Sequence, residues 1–180
     1  MPKTRSELDR KAKEGEIVEA AERRLREGGY QALSVAAIAR ELGVAQNAVY
    51  WYFPSKDHLF VAALERMVRG MAAAKPQGAD LEGKVLYFSD RLLELADVRA
   101  AMYDRARTSD VVAEFVRNLN LVWRRMLAGA LSPHVPEDEL EIAVETLIAT
   151  IQGALIQQLG AGERKRVIAF ALERVVQSSP

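Results

Sequence analysis

Gln46, Asn47, Tyr50 and Trp51 crowd into one short segment of the chain. A primary amide donates and accepts hydrogen bonds at once, so Gln and Asn match the paired groups on the edge of an adenine. Aromatic rings contact phosphates or thymine methyls. Outside a suitable context the same residues would be ordinary exposed polar side chains. Nothing competes with them as a chemical centre. The chain has no cysteine, no nucleophile motif, no phosphate loop and no metal signature. Its two histidines, His58 and His134, lack ligand partners at usable spacing and read as surface or turn residues. The expectation is a binding protein without catalytic residues, cofactor or metal.

The elements that would position this segment are helices. Apolar residues recur at helical spacing and strand signals are nearly absent. Ile17, Ala20, Ala21 and Leu25 form the buried stripe of a first helix, which starts near Ser6 or Glu14 and ends at Gly28–Gly29. Ser34 caps a second helix through Leu42. Gly43 turns the chain, and Ala39, one turn earlier, leaves room for a third helix to cross close to the second. That third helix runs from about Ala45 to Tyr52 and stops at Pro54. Ile38, Leu42, Val44, Val49 and Phe53 should face inward, which leaves the amide and aromatic edge outside. Ser55 caps a fourth helix to about Ala74, and Pro76, Gly78 and Asp80 mark a break.

Taken together these residues resemble the tetracycline-repressor-like family, usually called TetR. The matching stretches are residues 17–44 and 47–60. They include the Gly29–Tyr30 helix end, the Ile38–Ala39 and Leu42–Gly43–Val44 turn, and Tyr50, Phe53 and Lys56 at a spacing of three. The resemblance covers about the first third of the chain. It implies a helix-turn-helix in which Gln46, Asn47 and Ala48 open the recognition helix and approach base edges. Tyr50 would contact a phosphate or base, with Trp51 beside it on the DNA face. Tyr52, where the family often has histidine, would bond a phosphate, as would Lys56 and Ser34. Two departures stand out. Ala45 replaces the usual capping serine or threonine, so the third helix should start without a side-chain cap. Arg24 lies where an apolar residue is usual, and would either snorkel or rotate the first helix.

Charge agrees locally. The chain is neutral overall, with 25 basic and 25 acidic residues. Residues 1–13 nevertheless hold Lys3, Arg5, Arg10, Lys11 and Lys13 against Glu7 and Asp9. They read as a basic arm able to lie along a duplex, or as a solvated tail. No signal peptide or apolar span is legible, so the expectation is a cytoplasmic protein that does not enter membranes.

Beyond the break the helices read as about Leu81–Leu95, Arg99–Arg107, Asp110–Leu131, Glu137–Leu159 and Glu163–Gln177, without a motif of their own. The fold class is therefore all-α, about nine helices: residues 1–56 a three-helix helix-turn-helix domain, residues 57–180 an effector-binding and dimerisation domain. The last two helices are apolar on more than one side, and Ala149 with Gly153 forms a small-residue stripe. By resemblance they would pair two copies into a four-helix bundle. The resemblance also implies an effector pocket. Tyr87, Met102, Tyr103, Phe115, Leu119, Trp123, Met126 and Gln152 are its candidate lining, or simply core. With no charge cluster legible there, a mostly apolar or aromatic ligand is expected. The implied function is a repressor released from operator DNA by that ligand. A DNA-binding protein governed by a protein partner, or one that organises DNA, is the alternative.

Overall fold

The computed structural model describes residues 5–73 and 80–177, with side chains placed except at 5–7, 72, 73 and 97. Among the described residues there are nine helices and no strand: α1 (Arg5–Ala32), α2 (Val35–Glu41), α3 (Gln46–Tyr52), α4 (Lys56–Ala73), α5 (Leu81–Leu93), α6 (Ala96–Ala106), α7 (Asp110–Leu131), α8 (Leu140–Ile156) and α9 (Ala161–Gln177). Of the features read from sequence, Lys3, Pro76 and Gly78 lie outside the described residues.

Most helix ends fall where the sequence chemistry puts them. In α1 the regular conformation breaks at Gly28 (φ −155°) and Gly29 (φ 62°), after which Tyr30–Ala32 complete a further short turn. Ser34 caps α2 by accepting a hydrogen bond from the Ala37 N–H. Asp80 caps α5 by accepting one from the Gly83 N–H. Four expectations change. Ser6 lies inside α1 rather than at its cap. From Arg5 onward the basic residues read as an arm or a solvated tail continue α1 as helix. At α8, Pro136 accepts from the Glu139 N–H in a turn, so residues 137–139 precede the helix. Gln158 at φ 54° then ends it early. Finally, α6 begins at Ala96, earlier than the expected Arg99.

Two compact units are present, drawn from the described residues of Met1–Ala74 with Asp97–Val116, and of Lys75–Ala96 with Arg117–Pro180. In the first unit α1 packs on α4, and α2 on α3. Ile17, Leu25, Ile38, Val49, Leu59, Phe60 and Leu64 are all fully buried there. Each contributes about 1.5–3 kcal/mol relative to exposure. Ion pairs fasten the rim: Arg66 of α4 meets Glu19 and Glu22 of α1, and Glu41 of α2 receives both Arg23 and Arg24. Arg24 thus snorkels, its guanidinium carried out to Glu41 while its Nε stays buried and unpaired among the described residues.

In the second unit α9 packs against both α8 and α5. Leu147, Ile151 and Ile168 are fully buried. Arg164 of α9 pairs with Asp90 of α5, and Arg124 of α7 with Glu145 of α8. No helix among the described residues is long and apolar enough to cross a membrane.

Candidate functional site

The elbow between α2 and α3 follows from two small residues. Ala39 is buried, and its carbonyl accepts from the Val44 N–H across the turn. Gly43 sits at φ 65°, where a side chain is strained, and this lets the chain reverse sharply. Val49 and Phe53 then anchor α3 by its inner face, both buried, so its outer face is forced outward. Gln46, Asn47, Ala48, Tyr50 and Trp51 are all exposed, and Tyr52 is half-buried. Trp51 is 66% exposed, a large apolar surface left to solvent. Ala45 offers no side-chain cap to α3, as its residue type requires.

The aromatic edge is organised by neighbours that sequence reasoning did not pair. Trp51 and Tyr52 meet edge to face, with centroids 4.8 Å apart. The Arg10 guanidinium lies over the Trp51 ring at 5.2 Å. The basic stretch therefore enters the site as a helical turn of α1 that delivers one cation to the recognition helix. Lys13, by contrast, is held by Glu16 at 2.6 Å. Arg10 makes no ion pair among the described residues, so its charge is available.

Behind α3 a second cluster ties three helices together. Asp57, at the start of α4, accepts from the Tyr30 hydroxyl at 2.8 Å and from Arg105 of α6 at 2.6 and 3.1 Å. Burial alone would raise the Asp57 pKa. The hydrogen bonds from Arg105, Tyr30 and Ser109 outweigh it and hold the carboxyl below the usual range. Burial, together with the bond to Asp57, pushes the Tyr30 phenol up to about 12. Lys56 rests its ammonium over the Tyr30 ring at 4.0 Å, half-buried. Burial lowers its pKa, and the neighbouring Asp57 opposes that shift. Ser34 is exposed beside α2 and keeps its hydroxyl proton to donate while its oxygen caps the helix.

The other candidates divide between the units. Met102 is buried, Tyr103 exposed and Phe115 half-buried in the first. In the second, Leu119 and Trp123 are buried, Gln152 is half-buried, and Tyr87 and Met126 line a cleft of about 350 Å³ between α5 and α7. Lys84, Phe88, Arg125, Leu127, Gly129 and Ala130 complete that lining and were not singled out from sequence. Helical register was the available signal: Lys84, Tyr87 and Phe88 fall on one face at intervals of three and four.

Residues 17–63 match the N-terminal domain described as bacterial regulatory proteins, tetR family. The HTH-type transcriptional repressor KstR of Rhodococcus jostii is 34% identical over 128 residues, 64% of this chain and 58% of that protein. KstR of Mycolicibacterium smegmatis is 35% identical, with 64% of this chain and 62% of that protein aligned. The chain thus spans less than two thirds of the length of these relatives. The HTH-type transcriptional regulator BetI of Rhizobium meliloti is 29% identical over 88% of this chain and 82% of its own. Among solved structures, a transcriptional regulator from Rhodococcus sp. Rha1 aligns at TM-score 0.75 and 24% identity, covering 92% of this chain and 96% of that one. One from Saccharomonospora viridis in complex with choline aligns at TM-score 0.73 and 18% identity, covering 91% and 96%. These likenesses extend the shared fold over nearly the whole chain.

Proposed function

We propose that this TetR-family protein is a sequence-specific DNA-binding transcriptional regulator, a repressor released from its operator by a small molecule. One observation carries the reading. The short helix α3, anchored by buried Val49 and turned by Gly43, presents Gln46, Asn47, Tyr50 and Trp51 on one open edge. Gln46 and Asn47 read base edges in a major groove, with Ala48 close enough to touch a thymine methyl. Tyr50, Tyr52, Lys56 and Ser34 hold phosphates. The functional division we assign is residues 1–56 for DNA and residues 57–180 for effector binding and dimerisation.

Operator binding needs two such edges. We assign dimerisation to α8 and α9. Ile142, Ala149 and Ile156 lie at intervals of seven along one exposed stripe of α8, and Val167 and Phe170 are exposed on α9. A Cβ added at Gly153 would meet nothing within 4 Å, which leaves space for a second copy's helix. Operator binding requires such a two-fold pair to hold its recognition helices about 34–36 Å apart, on successive major grooves.

The effector reading rests on the cleft that Tyr87 and Met126 line, with Trp123 edge to face against Phe88 beside it. Leu119, Gln152, Met102, Tyr103 and Phe115 remain positions at which substitution should alter the ligand response. Release requires that ligand binding favour a conformation in which the two edges leave operator spacing.

The test is selection of bound fragments from a genomic library, followed by gel shift on the enriched duplex. Tight binding that falls about tenfold or more in Gln46→Ala and in Tyr50→Ala supports the reading. Binding that is absent, or indifferent to both substitutions, overturns it.

A further inference from the structure

The cleft between α5 and α7 carries a charge pattern that the sequence expectation of a mostly apolar or aromatic ligand did not include. Its floor is aromatic and aliphatic: Phe88, packed edge to face on Trp123 at 4.8 Å, with Tyr87, Met126 and Leu127. Two cations border it, Lys84 from α5 and Arg125 from α7. Neither forms an ion pair among the described residues. The nearby acids are already engaged. Glu82 is paired with Lys165, Asp90 with Arg164, and Glu94 with Arg91. The part of α7 in this unit, residues 117–131, contains no acid at all. The cleft is therefore apolar within and positive at its border.

Gly129 opens the cleft wall, since a Cβ there would meet nothing within 4 Å. The volume, about 350 Å³, suits a small ligand.

We infer that this cleft binds a small amphipathic carboxylate. Its chain lies on Tyr87, Phe88, Met126 and Leu127, and its anionic head sits between Lys84 and Arg125. The inference deepens, and rests on, the reading of the protein as a ligand-released regulator: this carboxylate is the releasing molecule. The two cations make the same cleft repel a quaternary ammonium such as choline.

Three ligands of equal chain length separate the chemistry: decanoate and decyltrimethylammonium, each below its micellar concentration, and decan-1-ol below its solubility limit. Calorimetry on the full chain measures affinity. In Trp51→Phe, Trp123 is the single remaining tryptophan of the two, so its emission reports on the cleft through its contact with the lining residue Phe88. Decanoate should bind saturably, shift Trp123 emission and weaken with added salt, while the ammonium compound should not bind. Lys84→Ala and Arg125→Ala should each weaken decanoate about tenfold, from the lost charge-assisted hydrogen bonds. Gly129→Leu should keep the thermal transition and abolish binding, because its side chain fills the cleft.

The inference is overturned if decanoate does not bind, if decan-1-ol binds as tightly, if both alanine variants leave decanoate unchanged, or if folded Gly129→Leu binds like the parent. A gel shift separates the two readings. A protein that binds duplex yet ignores decanoate loses the ligand assignment alone. One that binds decanoate as described yet never binds a duplex loses the regulator reading and keeps the cleft.

Discussion

Asp57 and Arg105 are joined by two hydrogen bonds, at 2.6 and 3.1 Å, between the first turn of α4 and the last turn of α6. Tyr30 supplies a third to the same carboxylate. Residues 27 and 48 positions away in sequence thus fix the start of the helix that follows the recognition helix.

This cluster sets a pH dependence. The folded Asp57 carboxyl lies below its unfolded value of about 3.9. Its contribution to stability is present above that value and is lost as pH falls through the lower folded one. Arg105→Ala should cost about 1–3 kcal/mol at neutral pH by leaving a buried carboxylate under-satisfied. It should also flatten the acid limb of a urea-denaturation series. Tyr30 shifts the other way. Its folded value of about 12 lies above an unfolded value of about 10, so its contribution is lost only as alkali carries pH through the higher figure. An ultraviolet titration should show one tyrosine ionising late, and Asp57→Asn should bring it earlier.

Gly43→Ala should lower stability by about 1–2 kcal/mol, measured by thermal or urea unfolding. The cost is backbone strain at φ 65° and nothing else, because the added Cβ meets no atom within 4 Å. Gly43→Asn should recover part of the loss, since asparagine tolerates this conformation best among the non-glycine residues.

Ala45→Ser should stabilise the protein by about 0.5–1 kcal/mol. The position already has the extended conformation of an N-cap, at φ −67° and ψ 145°, and lacks only a side-chain acceptor. An unchanged melting temperature would show that the α3 amides are satisfied in some other way.

Arg10→Ala should weaken duplex binding by a similar factor on every sequence and reduce the slope of log affinity against log salt by about 0.9, the signature of one lost phosphate contact. Trp51→Ala should reproduce the same slope change, because it removes the ring over which Arg10 is held at 5.2 Å. The double variant should be no worse than the single ones.

Ile156→Glu and Phe170→Glu should each convert a sedimenting dimer to monomer and abolish operator binding, while the helical circular-dichroism signal persists. Both side chains are exposed in the single chain, at 72% and 60%, so the substitutions leave its own core intact.

The helices from α1 to α4 were legible because each boundary is chemically local. Ser34 caps with its own side chain, Gly43 bends its own backbone, and Val49 and Phe53 declare the inner face of α3 by spacing alone. The same locality made the exposed edge of Gln46, Asn47, Tyr50 and Trp51 readable one residue at a time. Boundaries set by longer reach shifted. The start of α8 depends on a Pro136 turn, and the start of α1 depends on whether residues 5–13 find a helix to continue.

What no reading of the chain in order could supply is which distant side chains come to share a neighbour. Arg10 reaches Trp51, Arg105 reaches Asp57 and Tyr30, and Lys84 and Arg125 come to border one cleft. Periodicity reports the direction a side chain takes from its own helix. The partner it meets depends on how helices far apart in sequence cross and pack, which is set by the summed burial of many apolar contacts. Local chemistry thus drew the helices and their exposed edge, and packing chose the charges that stand beside it.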